Sequence, residues 1–163
     1  MRAAVKIMGL GKPSTSTKPI IVADLGCGDG EFLLGMIAHI TSPTSQARGI
    51  GVDYDAQLIA TAEQKTVQTD LKMEWLIYDF NLDQEDLASQ LLGKGATHLF
   101  AYLIPKQLAL KTVRAILERL LHAGVVVCCY KFHPGYLTPS RRDEVMNLEV
   151  YKKLEGEIGR AHV

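Results

Sequence analysis

Seven consecutive residues, Asp24-Leu25-Gly26-Cys27-Gly28-Asp29-Gly30, place three glycines two apart and flank them with acids. Glycines so spaced let a backbone turn with positive φ and leave no Cβ to meet a ligand lying on it. The spacing G-x-G-x-G departs from the G-x-G-x-x-G that cradles a dinucleotide, and Asp29 would set like charge against a pyrophosphate. Gly51-Val52-Asp53-Tyr54-Asp55 supplies a second acid, 23 residues after Gly30. A carboxylate there can accept both hydroxyls of a ribose, while Asp55 suits the cap of a following helix. Tyr78-Asp79-Phe80-Asn81 supplies a third, with an aromatic neighbour able to pack on a base. The pattern fits a nucleoside that carries positive charge and no phosphate. S-adenosylmethionine has those properties, and the candidate contacts are Asp24, Gly26, Cys27, Gly28, Gly30, Asp53, Tyr54, Asp79 and Phe80.

These residues need a scaffold that brings successive strand ends together, and the chain alternates accordingly. Strands are expected over residues 19–25, 48–53, 73–78, 97–104 and 125–132, with a weaker sixth at 147–154. Helices are expected over 31–40, 56–68, 83–92 and 106–122, the last opened by Pro105 and closed by Gly124. Near-continuous apolar strands alternating with helices imply a mostly parallel sheet inside a three-layer α/β sandwich of Rossmann type. Such folds bind ligands beyond the carboxyl ends of their strands. The pattern yields no last strand or strands to complete such a sheet.

Of 163 residues, 18 are Lys or Arg and 18 Asp or Glu. That balance supplies no overall basic field for nucleic acid, which is therefore not expected as a partner. No apolar run reaches the ~18 residues of a membrane span. Histidines 39, 98, 122 and 133 are scattered without metal-ligand spacing, so no metal is expected; His133 reads as a solvated loop histidine. Cys27, Cys128 and Cys129 read as small buried hydrophobes in a reducing, intracellular setting, cytoplasmic or mitochondrial. Residues 1–19 carry Arg2, Lys6, Lys12, Lys18 and no acid, and are expected as a flexible lead-in with some resemblance to a transit segment. The domain proper is assigned to 20–157 and is expected to continue past the present end. Residues 158–163 are suspected to be non-native, because ATC GGA AGA GCA CAC GTC encodes Ile158 to Val163 and matches a common sequencing adapter.

Taken together, Asp24 to Gly30, Asp53 and Asp79-Phe80 resemble the motifs of the class I, seven-stranded, S-adenosylmethionine-dependent methyltransferases. Phe100-Ala101-Tyr102-Leu103-Ile104-Pro105, then Ala123-Gly124-Val125-Val126-Val127 and Phe132-His133-Pro134, resemble the group that includes the ATP synthase c-subunit lysine methyltransferases. That narrower resemblance implies a protein lysine as methyl acceptor. A small-molecule or RNA methyltransferase, or an inactive cofactor-binding fragment, stands as the alternative. Methyl transfer asks the protein to position a nucleophile in line and exclude water. Tyr102, as a positioning hydroxyl or aromatic wall, and Pro105, shaping the turn, are the residues expected beside the reacting groups.

Overall fold

The computed structural model describes residues 1–11, 18–82 and 85–153. Its one sheet has seven strands in the order β3-β2-β1-β4-β5-β7-β6. They are β1 (Ile20–Leu25), β2 (Ala47–Asp53), β3 (Lys72–Ile77), β4 (His98–Ala101), β5 (Val126–Tyr130), β6 (Arg141–Asp143) and β7 (Leu148–Tyr151). The first five run parallel, whereas β7 pairs antiparallel with both β5 and β6. The expectation of an incomplete sheet is therefore corrected. The sixth strand expected at 147–154 is β7, and the unforeseen strand is its hairpin partner β6, Arg-Arg-Asp, three residues of charge without the apolar signature of a buried strand.

The helices are α1 (Arg2–Ile7), α2 (Glu31–Ile40), α3 (Ala56–Val67), α4 (Leu87–Gly93), α5 (Pro105–Leu108) and α6 (Lys111–His122). Asp55 caps α3 by accepting from the Gln57 and Leu58 amides at 2.9 and 3.3 Å, which is the role its position implied. The helix expected over 106–122 is two. Leu110 takes an extended backbone, ψ 135°, that ends α5 and starts α6, and its partly buried side chain joins the core. Proline still opens the first of them.

Alternation along the strands splits the core into two layers. Ile21, Ala23 and Leu25 of β1, Leu99 and Ala101 of β4, and Val127 and Cys129 of β5 face the layer under α4 and α6. Val22, Phe100, Cys128, Leu148 and Val150 face the layer under α1 and α2. Cys128 and Cys129 thus point to opposite faces, and all three cysteines are free and buried.

The amino-terminal segment differs from its expectation. Residues 2–7 are helical, and Ala4, Val5, Ile7, Met8 and Leu10 are buried against α2 and the β6–β7 edge. A six-residue helix is not stable alone. Burial of these side chains, worth roughly 1.5–3 kcal/mol for each of the larger ones, holds it in place. The suspected tail at 158–163 lies outside the described residues. No helix among them is long and apolar enough to cross a membrane.

Candidate active site

The glycine loop is built by the ends of β1 and β2. Val52 carbonyl oxygen accepts from both the Gly26 and Cys27 amides, at 2.8 and 3.0 Å. Asp53 ties the loop from the other side. Its Oδ2 accepts from the Gly28 amide at 2.9 Å and its Oδ1 from the Asp55 amide at 3.0 Å. Both oxygens keep a lone pair for a ligand hydroxyl.

Gly28 and Gly30 have φ of 58° and 81°. A Cβ on Gly28 would meet nothing within 4 Å, so this turn borders open space. A Cβ on Gly30 would lie 2.5 Å from the Trp75 ring and 2.9 Å from Ala62. The same indole covers Gly51 and is fixed by its Nε1 donating to Thr66 Oγ1 at 2.9 Å. Trp75 therefore sets the position of the loop from behind, a role that sequence spacing does not reveal.

The acids differ in their surroundings. Asp24 is 4% exposed. Burial, and then the charge of Asp53, push its carboxyl up to about 7. Asp29 turns away instead, pairing with Lys65 at 2.8 Å and accepting from the Glu31 amide at 3.1 Å. The hydrogen bond from Lys65, with that from the amide, holds its carboxyl below the usual carboxylate range. Burial, Asp24 and Asp53 push the Cys27 thiol far up, which leaves it a wall group and not a nucleophile.

Beside the loop lies a cavity of about 380 Å³. Asp24, Gly26, Cys27, Gly28 and Tyr102 line it, as the sequence led one to expect of a common site. So do Phe32, Phe100, Tyr130, Met146, Leu148 and the start of α1. Strand alternation explains the set. Asp24, Phe100, Tyr130 and Leu148 occupy one face of four adjacent strands, and Tyr102 continues that face past β4. Phe32 stacks on Phe100 with centroids 4.5 Å apart, and Tyr102 meets Tyr130 edge-on at 5.0 Å.

The other expected contacts lie outside this cavity. Tyr54 is 69% exposed past β2. Asp79 is exposed and accepts from the Asn81 amide and side chain, both at 2.9 Å. Phe80 is buried in the core layer below α4, with its ring 6.3 Å from that of Tyr78, so it presents no free face. Pro105 borders a separate cavity and is not beside Tyr102 in the first. His133 is partly buried and held by Asn147, Nε2 to Oδ1 2.9 Å, which corrects its reading as a solvated residue.

The donor set suits a cationic nucleoside: two buried acids, Asp24 and, on the adjacent strand, the hydroxyl-accepting Asp53, with a glycine turn open to solvent. No group of His, Cys, Asp and Glu among the described residues could hold a metal.

No family model and no curated protein matches this chain. Solved structures do. The RNA methyltransferase from Salinibacter ruber, in complex with S-adenosyl-L-homocysteine, superposes with TM-score 0.61 at 25% identity, over 93% of this chain and 89% of that one. The rRNA methyltransferase aviRa from Streptomyces viridochromogenes gives TM-score 0.61 at 14% identity, over 92% and 82%. The CurJ carbon methyltransferase gives 0.56 at 21%, over 77% of this chain and 32% of that one. Strand order and loop define the class of fold: a Rossmann-like α/β sandwich with a seven-stranded sheet, the fold of the class I methyltransferases among its neighbours. The Salinibacter ruber neighbour holds its S-adenosyl-L-homocysteine in an enzyme of this fold.

Proposed function

We propose that this chain methylates RNA, with Asp53 and the glycine loop holding S-adenosylmethionine and the aromatic cavity receiving the acceptor. Bound there, the cofactor supplies a methyl group on a positively charged sulfur, an already activated carbon. The chain's own residues then bind, orient and exclude water. Asp24 offers a buried carboxylate to the ligand's ammonium, Asp53 accepts from the ribose, and the exposed edges of Tyr54 and Asp79 lie on the adenine side. Tyr102, Tyr130 and Phe32 wall the acceptor's approach.

One observation carries the choice of acceptor. Residues 102–142, which run from the end of β4 through α5, α6 and β5 into β6, contain seven Lys or Arg and a single acid, Glu118, and of these cations Lys106 lies in α5 just past β4 and Lys131 directly follows β5. The even overall balance averages this asymmetry away. Within it Tyr102, 44% exposed, clusters with Tyr130 and Phe132. Exposed aromatic faces beside cations suit unstacked bases and phosphates. The likeness to two RNA methyltransferases over nearly their whole lengths supports the same reading.

A protein lysine is the second reading. It rests on the Phe100 to Pro105 segment and on the aromatic lining, which would favour a neutral amine. The three buried thiols fit an intracellular setting, cytoplasmic or mitochondrial.

Total RNA and total protein incubated with the chain and methyl-labelled S-adenosylmethionine separate the readings. Label in ribonuclease-sensitive material is expected. Label only in protease-sensitive material would replace RNA by protein as acceptor.

A further inference from the structure

A second cavity, also about 380 Å³, opens at the same end of the sheet. Pro105 and Leu108 of α5 form one wall, and Phe132, His133 and Tyr136, past β5, form the other. It is separated from the first by an aromatic pair, for Tyr102 lines the first cavity and its ring lies 6.4 Å from Phe132, which lines the second. Lys131 Nζ stands 5.4 Å from the centre of the Phe132 ring, so a cation and a π face are presented together.

The wall is held firmly. Lys131 and Asn147 both take left-handed backbone, φ 68° and 56°. They are joined by the Lys131 amide donating to Asn147 carbonyl oxygen at 2.9 Å and by Asn147 Nδ2 donating to Lys131 carbonyl oxygen at 3.2 Å. Such backbone strain persists only where its surroundings over-determine it. His133 Nδ1 is buried without a hydrogen-bond partner, 3.7 Å from Glu149 Oε2. Tyr136 donates to Leu108 carbonyl oxygen at 2.8 Å, and Arg114 lies 4.8 Å over its ring.

We infer that this cavity is a second acceptor subsite, taking the base of a nucleotide next to the one that is methylated. The base packs on Phe132 and a phosphate meets Lys131. This inference rests on the RNA reading above. Single-stranded RNA is held by bases splayed onto aromatic side chains and by phosphates on nearby cations. The volume lies in the range of small-ligand sites. A shared aromatic partition would let two successive bases occupy neighbouring cavities.

The test is fluorescence anisotropy of a short single-stranded RNA of mixed sequence, with the chain saturated by S-adenosylhomocysteine. Phe132→Leu is expected to weaken RNA binding roughly fivefold or more, the loss of one stacked base. Lys131→Asn, which tolerates the left-handed backbone, is expected to reduce the slope of log affinity against log salt by about 0.7, one phosphate contact on a single strand. Affinity for S-adenosylhomocysteine stays unchanged in both, which also certifies their folding. RNA affinity and salt slope equal to wild type in both variants overturn the subsite and leave the RNA reading standing. A wild-type chain that binds S-adenosylhomocysteine but no RNA overturns both.

Discussion

Asp24→Asn separates what the site needs from what the fold needs. The carboxyl of Asp24 is moved from its ordinary 3.8 to about 7, by burial first and by Asp53 second. That displacement corresponds to roughly 4 kcal/mol between its charged and neutral forms. The sign follows from proton counts. Below pH 4 the group is neutral in folded and unfolded chains alike and contributes nothing. Between 4 and 7 the unfolded chain gives up its proton first, so the folded chain binds more protons and stability falls as pH rises. Above 7 the full cost is present. Asparagine has the same shape and cannot ionise, so it removes the cost. In urea denaturation Asp24→Asn should be near wild type at pH 4 and more stable at pH 8, by up to about 4 kcal/mol. Affinity for S-adenosylhomocysteine should move the other way. Wild type should gain affinity from pH 6 to 8 as Asp24 ionises towards the ligand's ammonium, while the variant binds more weakly and without that pH dependence. A stability difference independent of pH, or a variant less stable than wild type at pH 8, would refute the reasoning.

Three further outcomes follow from the same geometry. Gly30→Ala should cost about 2–4 kcal/mol in urea unfolding, since it adds a left-handed backbone penalty to the clash with Trp75 and Ala62. Asp29→Asn should leave affinity for S-adenosylhomocysteine within about twofold, because Asp29 faces Lys65 and not the cavity; calorimetry reads it. Tyr102→Ala should lower kcat/KM for methyl transfer to RNA with cofactor affinity unchanged, and Tyr102→Phe distinguishes an aromatic wall, which it preserves, from a positioning hydroxyl, which it deletes.

The glycine-loop half of the candidate site was legible because it is local. Asp24 to Gly30 and Asp53 sit at strand ends whose apolar runs are plain in the sequence, and parallel pairing brings those ends together. The aromatic half was less so. Phe100, Tyr102 and Tyr130 share a face by period-2 alternation, a signal that was present, but Leu148 joins them through its antiparallel pairing with Tyr130 and Phe32 only through packing of α2 on the sheet. Phe80 shows the opposite failure: its spacing suited a base platform, yet its apolar ring is satisfied in the core. The amino-terminal helix carried a composition like a solvated leader, and only tertiary burial makes it a wall of the cavity. Strand β6 escaped because an edge strand of charged residues lacks the apolar run that announces a buried one, whereas β7 falls within the sixth strand expected at 147–154. Net charge is silent on local asymmetry, since a sum over 163 residues hides where the cations stand.

Calorimetric titration of the chain with S-adenosylhomocysteine tests the central claim most directly. The structure predicts one-to-one binding that Asp53→Ala abolishes, since that substitution removes both the ribose acceptor and the tether on the Gly28 amide. A folded chain that binds no S-adenosylhomocysteine, or an Asp53→Ala variant that binds it as wild type does, would contradict the account.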